Sequence, residues 1–348
     1  MTVQRTNDLR VTGLRPLVSP ADLKRELPLS EDAAAAVERS RDAVAAILAQ
    51  RDPRLLAIVG PCSIHDEAAA LEYAGRLLEL HRRFHSRLFI VMRVYFEKPR
   101  TTLGWRGFII DPLLDGSYDI ALGLTKARRI LLEINRMGLP TGTEMLDPIV
   151  PQYTADLVSW SAIGARTTES QTHRDMASGL SMPVGFKNNT EGDIQSAVDA
   201  IVASARPHSF LGIDQNGQTC VVSTTGNTST HIILRGGRRG SNFRADMLEE
   251  AAFLLKQAGV PPVFIVDCSH GNSDKDHLRQ ELVLRSILAS RRQGVPGIQG
   301  FMLESNLEEG KQALEGDPSK LAYGVSITDA CIGWAKTEEL LQLAHDQS

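Results

Sequence analysis

The segment LLAIVGPCSIHD (55–66) carries an apolar run into a turn that holds Cys62, with His65 and Asp66 directly behind it. A lone thiol placed there can ligate a metal, attack a carbonyl with His65 as its base, or fill core. The same arrangement, an apolar run delivering a charged or coordinating group, recurs along the chain. LFIVMRV (88–94) contains Arg93 and leads into FEKPRTTLGWRG with Lys98 and Arg100, and PTGTEM (140–145) reaches Glu144. LVSWSAIG (157–164) leads to Arg166, PVGFKN (183–188) holds Lys187, and HIILRG (231–236) holds Arg235. VFIVDCS (263–269) is followed by His270, and IQGFMLES (298–305) holds Glu304.

Two kinds of chemistry are implied. Arg93, Lys98, Arg166, Lys187 and Arg235, gathered at one rim, would repel one another unless anions offset them, which points to substrates bearing phosphate and carboxylate. Cys62, His270 and Glu304, with Asp329 of YGVSITDACIGW, form a mixed sulfur, nitrogen and oxygen set. Such a set suits a divalent transition metal, because Mg²⁺ rarely takes thiolate and a structural zinc site would repeat cysteine. Ligands drawn from distant segments obey no spacing rule, so the residues alone leave Cys62 open between ligand, buried thiol and nucleophile. His65, Cys268 and His231 rank below these: Cys268 lies inside the seventh run and His231 precedes the sixth.

The elements that must position these groups follow from the patterning. About eight short apolar runs alternate with longer amphipathic stretches, the rhythm of repeated βα units around a parallel sheet. Among the helical stretches are 66–84, 119–138, 190–205, 243–259 and 276–294, several opening on Asp or Thr and closing on Gly. The predicted fold is α/β, a (β/α)8 TIM barrel, for which about 250 residues are typical and whose active groups sit at the C-terminal ends of the strands. No Gly-rich phosphate turn follows the first run, which argues against a doubly wound sheet. Residues 51–348 form the expected catalytic barrel, preceded by an extension at 1–50 and interrupted at about 209–227 by a hairpin around QNGQ. Both additions are expected to serve assembly or regulation.

Composition narrows the setting. With 348 residues and 42% hydrophobic content the chain can bury a large core, and its four cysteines are too sparse for a disulfide scaffold. A cytoplasmic protein is expected, since the N-terminus lacks a signal-like apolar stretch and no run is long enough to span a bilayer. A net charge of −4 and a pI near 6.2 disfavour nucleic acid as a partner. ILRGGRRGSNFR holds a single RGG without aromatic platforms, a weak basis for an RNA-binding module.

The longer motifs GPCSIHD, MRVYFEKPRTTLGWRG, GTEMLDP, SWSAIGARTTESQTHRDMASGLSMPVGFKN, HIILRGG, VDCSHGNSDKD, GFMLESN and YGVSITDACIGW closely resemble class I 3-deoxy-D-arabino-heptulosonate 7-phosphate (DAHP) synthase. The likeness is to the feedback-regulated bacterial and fungal type and spans nearly the whole chain. It implies condensation of phosphoenolpyruvate with erythrose 4-phosphate and water, the first step of the shikimate pathway. By resemblance, Cys62, His270, Glu304 and Asp329 hold one divalent metal of the Mn, Fe, Co or Zn type, and no organic cofactor is needed.

Phosphoenolpyruvate would meet Arg93, Lys98, Ala165, Arg166, Lys187 and Arg235, and erythrose 4-phosphate would meet Lys98, Pro99, Arg100, Thr101 and Asp329. Lys98 is the expected proton donor, with Glu144 beside the pocket. An aromatic amino acid would bind among Asp147, Pro151, Gln152, Met176, Leu180, Ser181, Phe210, Gly212 and Val222. Phenylalanine-sensing relatives tend to carry serine where this chain has Gly212, so tyrosine is the first expectation and tryptophan the second. The resemblance also implies a homodimer or homotetramer, with no membrane partner. It brings Cys331, two residues past Asp329, near Cys62, so oxidation of metal-free protein is expected to join the two. Another phosphoenolpyruvate-condensing aldose-phosphate synthase is the alternative.

Overall fold

Among the described residues the strands are β1 Leu55–Gly60, β2 Leu88–Arg93, β3 Thr141–Glu144, β4 Trp160–Ile163, β5 Val184–Lys187, β6 Ser209–Ile213, β7 Thr219–Ser223, β8 Thr230–Leu234, β9 Phe264–Asp267 and β10 Ile298–Glu304. This computed structural model describes residues 6–100 and 102–348. Eight strands close a parallel barrel in the order β1-β10-β9-β8-β5-β4-β3-β2, while β6 and β7 form a separate antiparallel hairpin. The fold is therefore the α/β, (β/α)8 TIM barrel with an N-terminal extension and an inserted hairpin. Most barrel strands are shorter than their apolar runs: β9 stops at Asp267 and β4 at Ile163, whereas β1 fills LLAIVG (55–60).

Side chains alternate inward and outward along each strand. The inward positions early in the strands, Leu56, Ile58, Phe89, Val91, Trp160, Ala162, Ile233, Ile265 and Met302, form one buried apolar cluster. One step further along the same faces come Arg93, Glu144, Lys187, Arg235, Asp267 and Glu304. A single period-two pattern thus fills the lower barrel with hydrocarbon and its upper mouth with charge.

The lower half is closely fitted. The Trp160 indole Nε1 donates to His231 Nε2 at 3.2 Å, and burial pushes His231 down to about 3. Gly185 makes this possible, since a Cβ there would lie 2.5 Å from Ile233 Cδ1 and 2.8 Å from His231 Nε2. The helix Glu31–Leu48, N-capped by Ser30, sends Val44, Ile47 and Leu48 into the same cluster. This part of the extension closes the N-terminal end of the barrel.

Outer helices begin and end as their punctuation dictates. Asp66 accepts from Ala69 N to cap Glu67–Phe84, and Asp119 accepts from Leu122 N to cap Ile120–Met137, which ends on left-handed Gly138. The sequence pattern does not announce helix Gln171–Gly179, whose buried residues are only Met176, Ala177 and Ser178. No described helix is long and apolar enough to cross a membrane.

Candidate active site and metal centre

Parallel register brings the metal-type donors together. Gly60 of β1 pairs with Glu304 of β10, so Cys62, two residues past Gly60, emerges beside the Glu304 carboxylate. The segment carrying Asp329 is pinned to both strands: Ser63 Oγ and Thr328 Oγ1 lie 2.7 Å apart, and Ile332 N donates to Glu304 O at 3.0 Å. One ligand atom each from Cys62, Glu304 and Asp329 lie within 4.8 Å of one another. His270 stands at the edge of this trio, its Nε2 3.7 Å from Glu304 Oε1.

The electrostatics of this cluster favour a cation. Burial, then the Glu304 charge, push the Cys62 thiol up to about 11, while Lys98 acts in the opposite direction. A thiol held there is a poor nucleophile at neutral pH. Lys98 Nζ lies 3.1 Å from Cys62 Sγ. Burial alone would lower the Lys98 amine, but Cys62, Glu304, Asp329 and Glu144 together raise it above its ordinary value. A thiol and two carboxylates brought together, with an imidazole beside the Glu304 carboxylate, suit a divalent transition ion.

The cationic side of the mouth adjoins it. Arg93 is fully buried, its Nη2 3.1 Å from Glu304 Oε1, and Lys187 Nζ lies 2.7 Å from Glu144 Oε2. The Tyr95 ring lies under both cations, 4.0 Å from Arg93 Cζ and 5.4 Å from Lys187 Nζ. Burial raises the Glu144 carboxyl, but Lys187 and then Lys98 and His270 outweigh it and hold it below the usual range. Gly164 leaves the room Glu144 occupies, because a Cβ there would meet Glu144 Oε1 at 2.4 Å. For Arg235, burial is the main cause of a lowered value, with Arg166 adding to it and Asp267 opposing.

A cavity of about 130 Å³ is lined by Arg93, Lys98, Pro99, Arg100, Glu144, Ala165, Arg166, Lys187, Arg235, His270 and Asp329, among others. The structure therefore gathers the five cations foreseen at one rim beside the donor cluster. Lys98, Pro99 and Arg100 also line a second cavity of about 730 Å³, together with Asp147 and Glu97. Burial and the neighbouring Asp147 push Glu97 up to about 8. Thr101 lies outside the described residues.

Asp267 belongs to this constellation and strand-end reasoning passes over it. Its signal in the sequence is the inward alternation of Ile265 and Asp267 on β9, next to the outward Cys268. Burial raises its carboxyl, yet His270, Lys187 and Arg93 outweigh that and hold it far below the ordinary range. The three lower-ranked residues lie elsewhere. Cys268 packs in the cluster between barrel and helices, His231 sits in the lower barrel, and His65 precedes the capping Asp66.

The residues expected to bind an effector are distributed around the hairpin. Phe210 pairs with Val222, and Gly212 pairs with Cys220. Gln152 Oε1 accepts from Gln215 Nε2 at 2.7 Å, and Gln215 in turn accepts from Ala21 N at 2.7 Å and Lys24 Nζ at 2.9 Å. Ser178 Oγ and Thr224 Oγ1, 2.7 Å apart, fasten the hairpin base to helix Gln171–Gly179, which contains Met176 and leads to Leu180 and Ser181. Pro151 and Met176 are buried, whereas Asp147 and Ser181 are exposed.

Residues 27–342 match the model of the DAHP synthetase I family. The chain is 52% identical over 339 residues to the Tyr-sensitive phospho-2-dehydro-3-deoxyheptonate aldolase of Escherichia coli K12, covering 97% of this chain and 95% of that one. It is 51% identical over 343 residues to the Phe-sensitive enzyme of the same strain, covering 98% and 97%. A solved phospho-2-dehydro-3-deoxyheptonate aldolase from Francisella tularensis SCHU S4 superposes with a TM-score of 0.94 at 46% identity, covering 97% of this chain and 98% of that one.

Proposed function

The chain belongs to the DAHP synthetase I family, and on that premise we propose how its barrel mouth condenses phosphoenolpyruvate with erythrose 4-phosphate and water to DAHP and inorganic phosphate. The chain is a transferase of the shikimate pathway, under feedback from an aromatic amino acid. The observation that carries the site reading is the juxtaposition of a Cys62, His270, Glu304 and Asp329 donor set with a pocket lined by five cations.

Arg93, Arg166, Lys187 and Arg235, with Ala165 beside them, hold phosphoenolpyruvate through its phosphate and carboxylate. Glu144 keeps the Lys187 ammonium in place through their 2.7 Å contact. Erythrose 4-phosphate is received at Lys98, Pro99 and Arg100, which line both cavities, with Asp329 contributing from the smaller one and Thr101 next in the sequence. Cys62, His270, Glu304 and Asp329 would hold a divalent ion of the Mn, Fe, Co or Zn type, which supplies Lewis acidity toward the aldehyde oxygen. The methylene carbon of phosphoenolpyruvate attacks the aldehyde carbon, and Lys98 gives its proton to the aldehyde oxygen. Water then adds to C-2 of the former enol, one of its protons restoring Lys98, and phosphate leaves with carbon–oxygen cleavage, taking the second proton as the C-2 ketone forms.

Tyrosine is the proposed effector, with Phe210, Gly212 and Val222 of the hairpin, Pro151, Gln152, Met176, Leu180 and Ser181 opposite it, and Asp147 toward the active-site loop. A Cβ at Gly212 would lie 2.7 Å from Val222 Cγ2, so a serine there would displace the Val222 side chain on the hairpin face. A homodimer or homotetramer in the cytoplasm is proposed from the resemblance. The test is phosphate release and keto-sugar formation with phosphoenolpyruvate and either erythrose 4-phosphate or arabinose 5-phosphate. The four-carbon aldose is expected to react, and tyrosine is expected to inhibit more strongly than tryptophan or phenylalanine. Preference for the five-carbon aldose would overturn the substrate assignment; inhibition by phenylalanine alone would overturn the effector.

A further inference from the structure

His270 stands just past the end of β9 with a left-handed backbone, φ 58°, and Lys275 N donates to its carbonyl at 2.8 Å. Its ring is gripped from one side. Nδ1 lies 2.9 Å from Asp267 Oδ2 and 2.9 Å from Ser269 Oγ. Asp267 is fully buried, and its other oxygen is already used: Oδ1 accepts from Ser269 N at 3.0 Å and from Ser269 Oγ at 2.6 Å.

Proton accounting follows from these contacts. The Ser269 hydroxyl has one hydrogen and gives it to Asp267 Oδ1, so toward His270 it presents only a lone pair. Asp267 Oδ2, a carboxylate oxygen, is likewise an acceptor. Both groups facing Nδ1 offer only lone pairs, and Asp267 Oδ2 is a buried oxygen with no other partner among the described residues, which places the ring hydrogen on Nδ1 and leaves the Nε2 lone pair directed at the Glu304 side of the donor cluster.

We infer that Asp267 is a positioning residue which, together with Ser269, fixes the tautomer and orientation of His270 for metal binding. The inference rests on the reading of the mouth as a metal centre and goes beyond it. A carboxylate behind a ligating imidazole sharpens affinity by holding the ring and strengthening its basicity, an effect of roughly 10- to 100-fold. A rival role is open to the same carboxylate, since it also faces the buried Arg93 and Lys187 as a counter-charge.

Co²⁺ binding separates these possibilities. It is measured on the whole chain by competition with a chromophoric chelator and by the near-ultraviolet thiolate-to-cobalt band. Wild-type protein is expected to bind with that band. Asp267→Asn is expected to bind roughly 10- to 100-fold more weakly, and Ser269→Ala several-fold more weakly. Wild-type protein that shows neither binding nor the band overturns the metal centre itself. Wild-type binding matched within twofold by both variants overturns the inference while leaving the metal centre standing. Unchanged Co²⁺ affinity in Asp267→Asn with an altered KM for phosphoenolpyruvate assigns it the counter-charge role instead. Should Asp267→Asn fail to fold, Ser269→Ala decides alone, and affinity within twofold of wild type counts against the inference.

Discussion

The lower and upper halves of the barrel interior are built on the same strands and the same alternation, yet they are chemical opposites. Below, Leu56, Ile58, Phe89, Val91, Trp160, Ile233, Ile265 and Met302 pack together under the helix carrying Val44, Ile47 and Leu48. Above, the buried pairs Arg93 with Glu304 and Lys187 with Glu144 sit where desolvation costs about as much as attraction returns. The contrast teaches that the mouth does not hold the barrel together. Its charges are tolerated because the hydrocarbon half and the outer helices fix the strand ends on which they stand.

The largest effect that would break this division lies in the upper half. Lys98→Ala removes the proposed proton donor, and turnover is expected to fall about 10²- to 10⁴-fold. Bound metal per chain and melting temperature should stay close to wild type. A variant with near-normal turnover removes Lys98 from the chemistry, and one that loses its fold would make the mouth structural after all.

The complementary change below is Trp160→Ala. It empties a large, fully buried site and strands the His231 acceptor, so a loss of roughly 3–5 kcal/mol in denaturant unfolding is expected. Turnover per folded molecule should change by no more than about threefold. A folded Trp160→Ala protein with Lys98→Ala-like kinetics would show that the two halves are coupled rather than divided.

How much of this was legible in the sequence depends on the half considered. All eight barrel strands were visible, because parallel strands buried on both faces read as short apolar runs. The cations, Cys62, His270 and Glu304 were visible because each lies at the end of such a run or just past it, whereas Asp329 follows none of the eight. Asp267 was not, since strand-end reasoning looks past the last inward residue to whatever follows it. The role of Glu31–Leu48 was hidden too: its amphipathic pattern announces a helix but not that Val44, Ile47 and Leu48 close a barrel formed by later residues. That Cys62 meets Asp329 depends on the β1–β10 closure, a long-range pairing that spacing does not encode. The pairing of Trp160 with His231 was equally invisible, because a histidine ahead of an apolar run reads as an edge residue, not as one sealed inside.

That sealed histidine gives the smallest and sharpest test of the lower half. Burial is the sole cause of its depressed value, about 3, against an ordinary 6.5. Between those values the unfolded chain binds a proton that the folded chain refuses. Stability from this group is therefore complete above about pH 6.5 and declines as pH falls through the window, by roughly 1 kcal/mol per pH unit. His231→Gln stays uncharged throughout, and its amide oxygen can still accept from Trp160 Nε1. Urea unfolding of both proteins at pH 7 and pH 5 should show wild type losing roughly 2 kcal/mol more than the variant. Parallel losses would mean that protons or water reach His231 in the folded barrel, and the lower half would then not be the dry support on which the charged mouth depends.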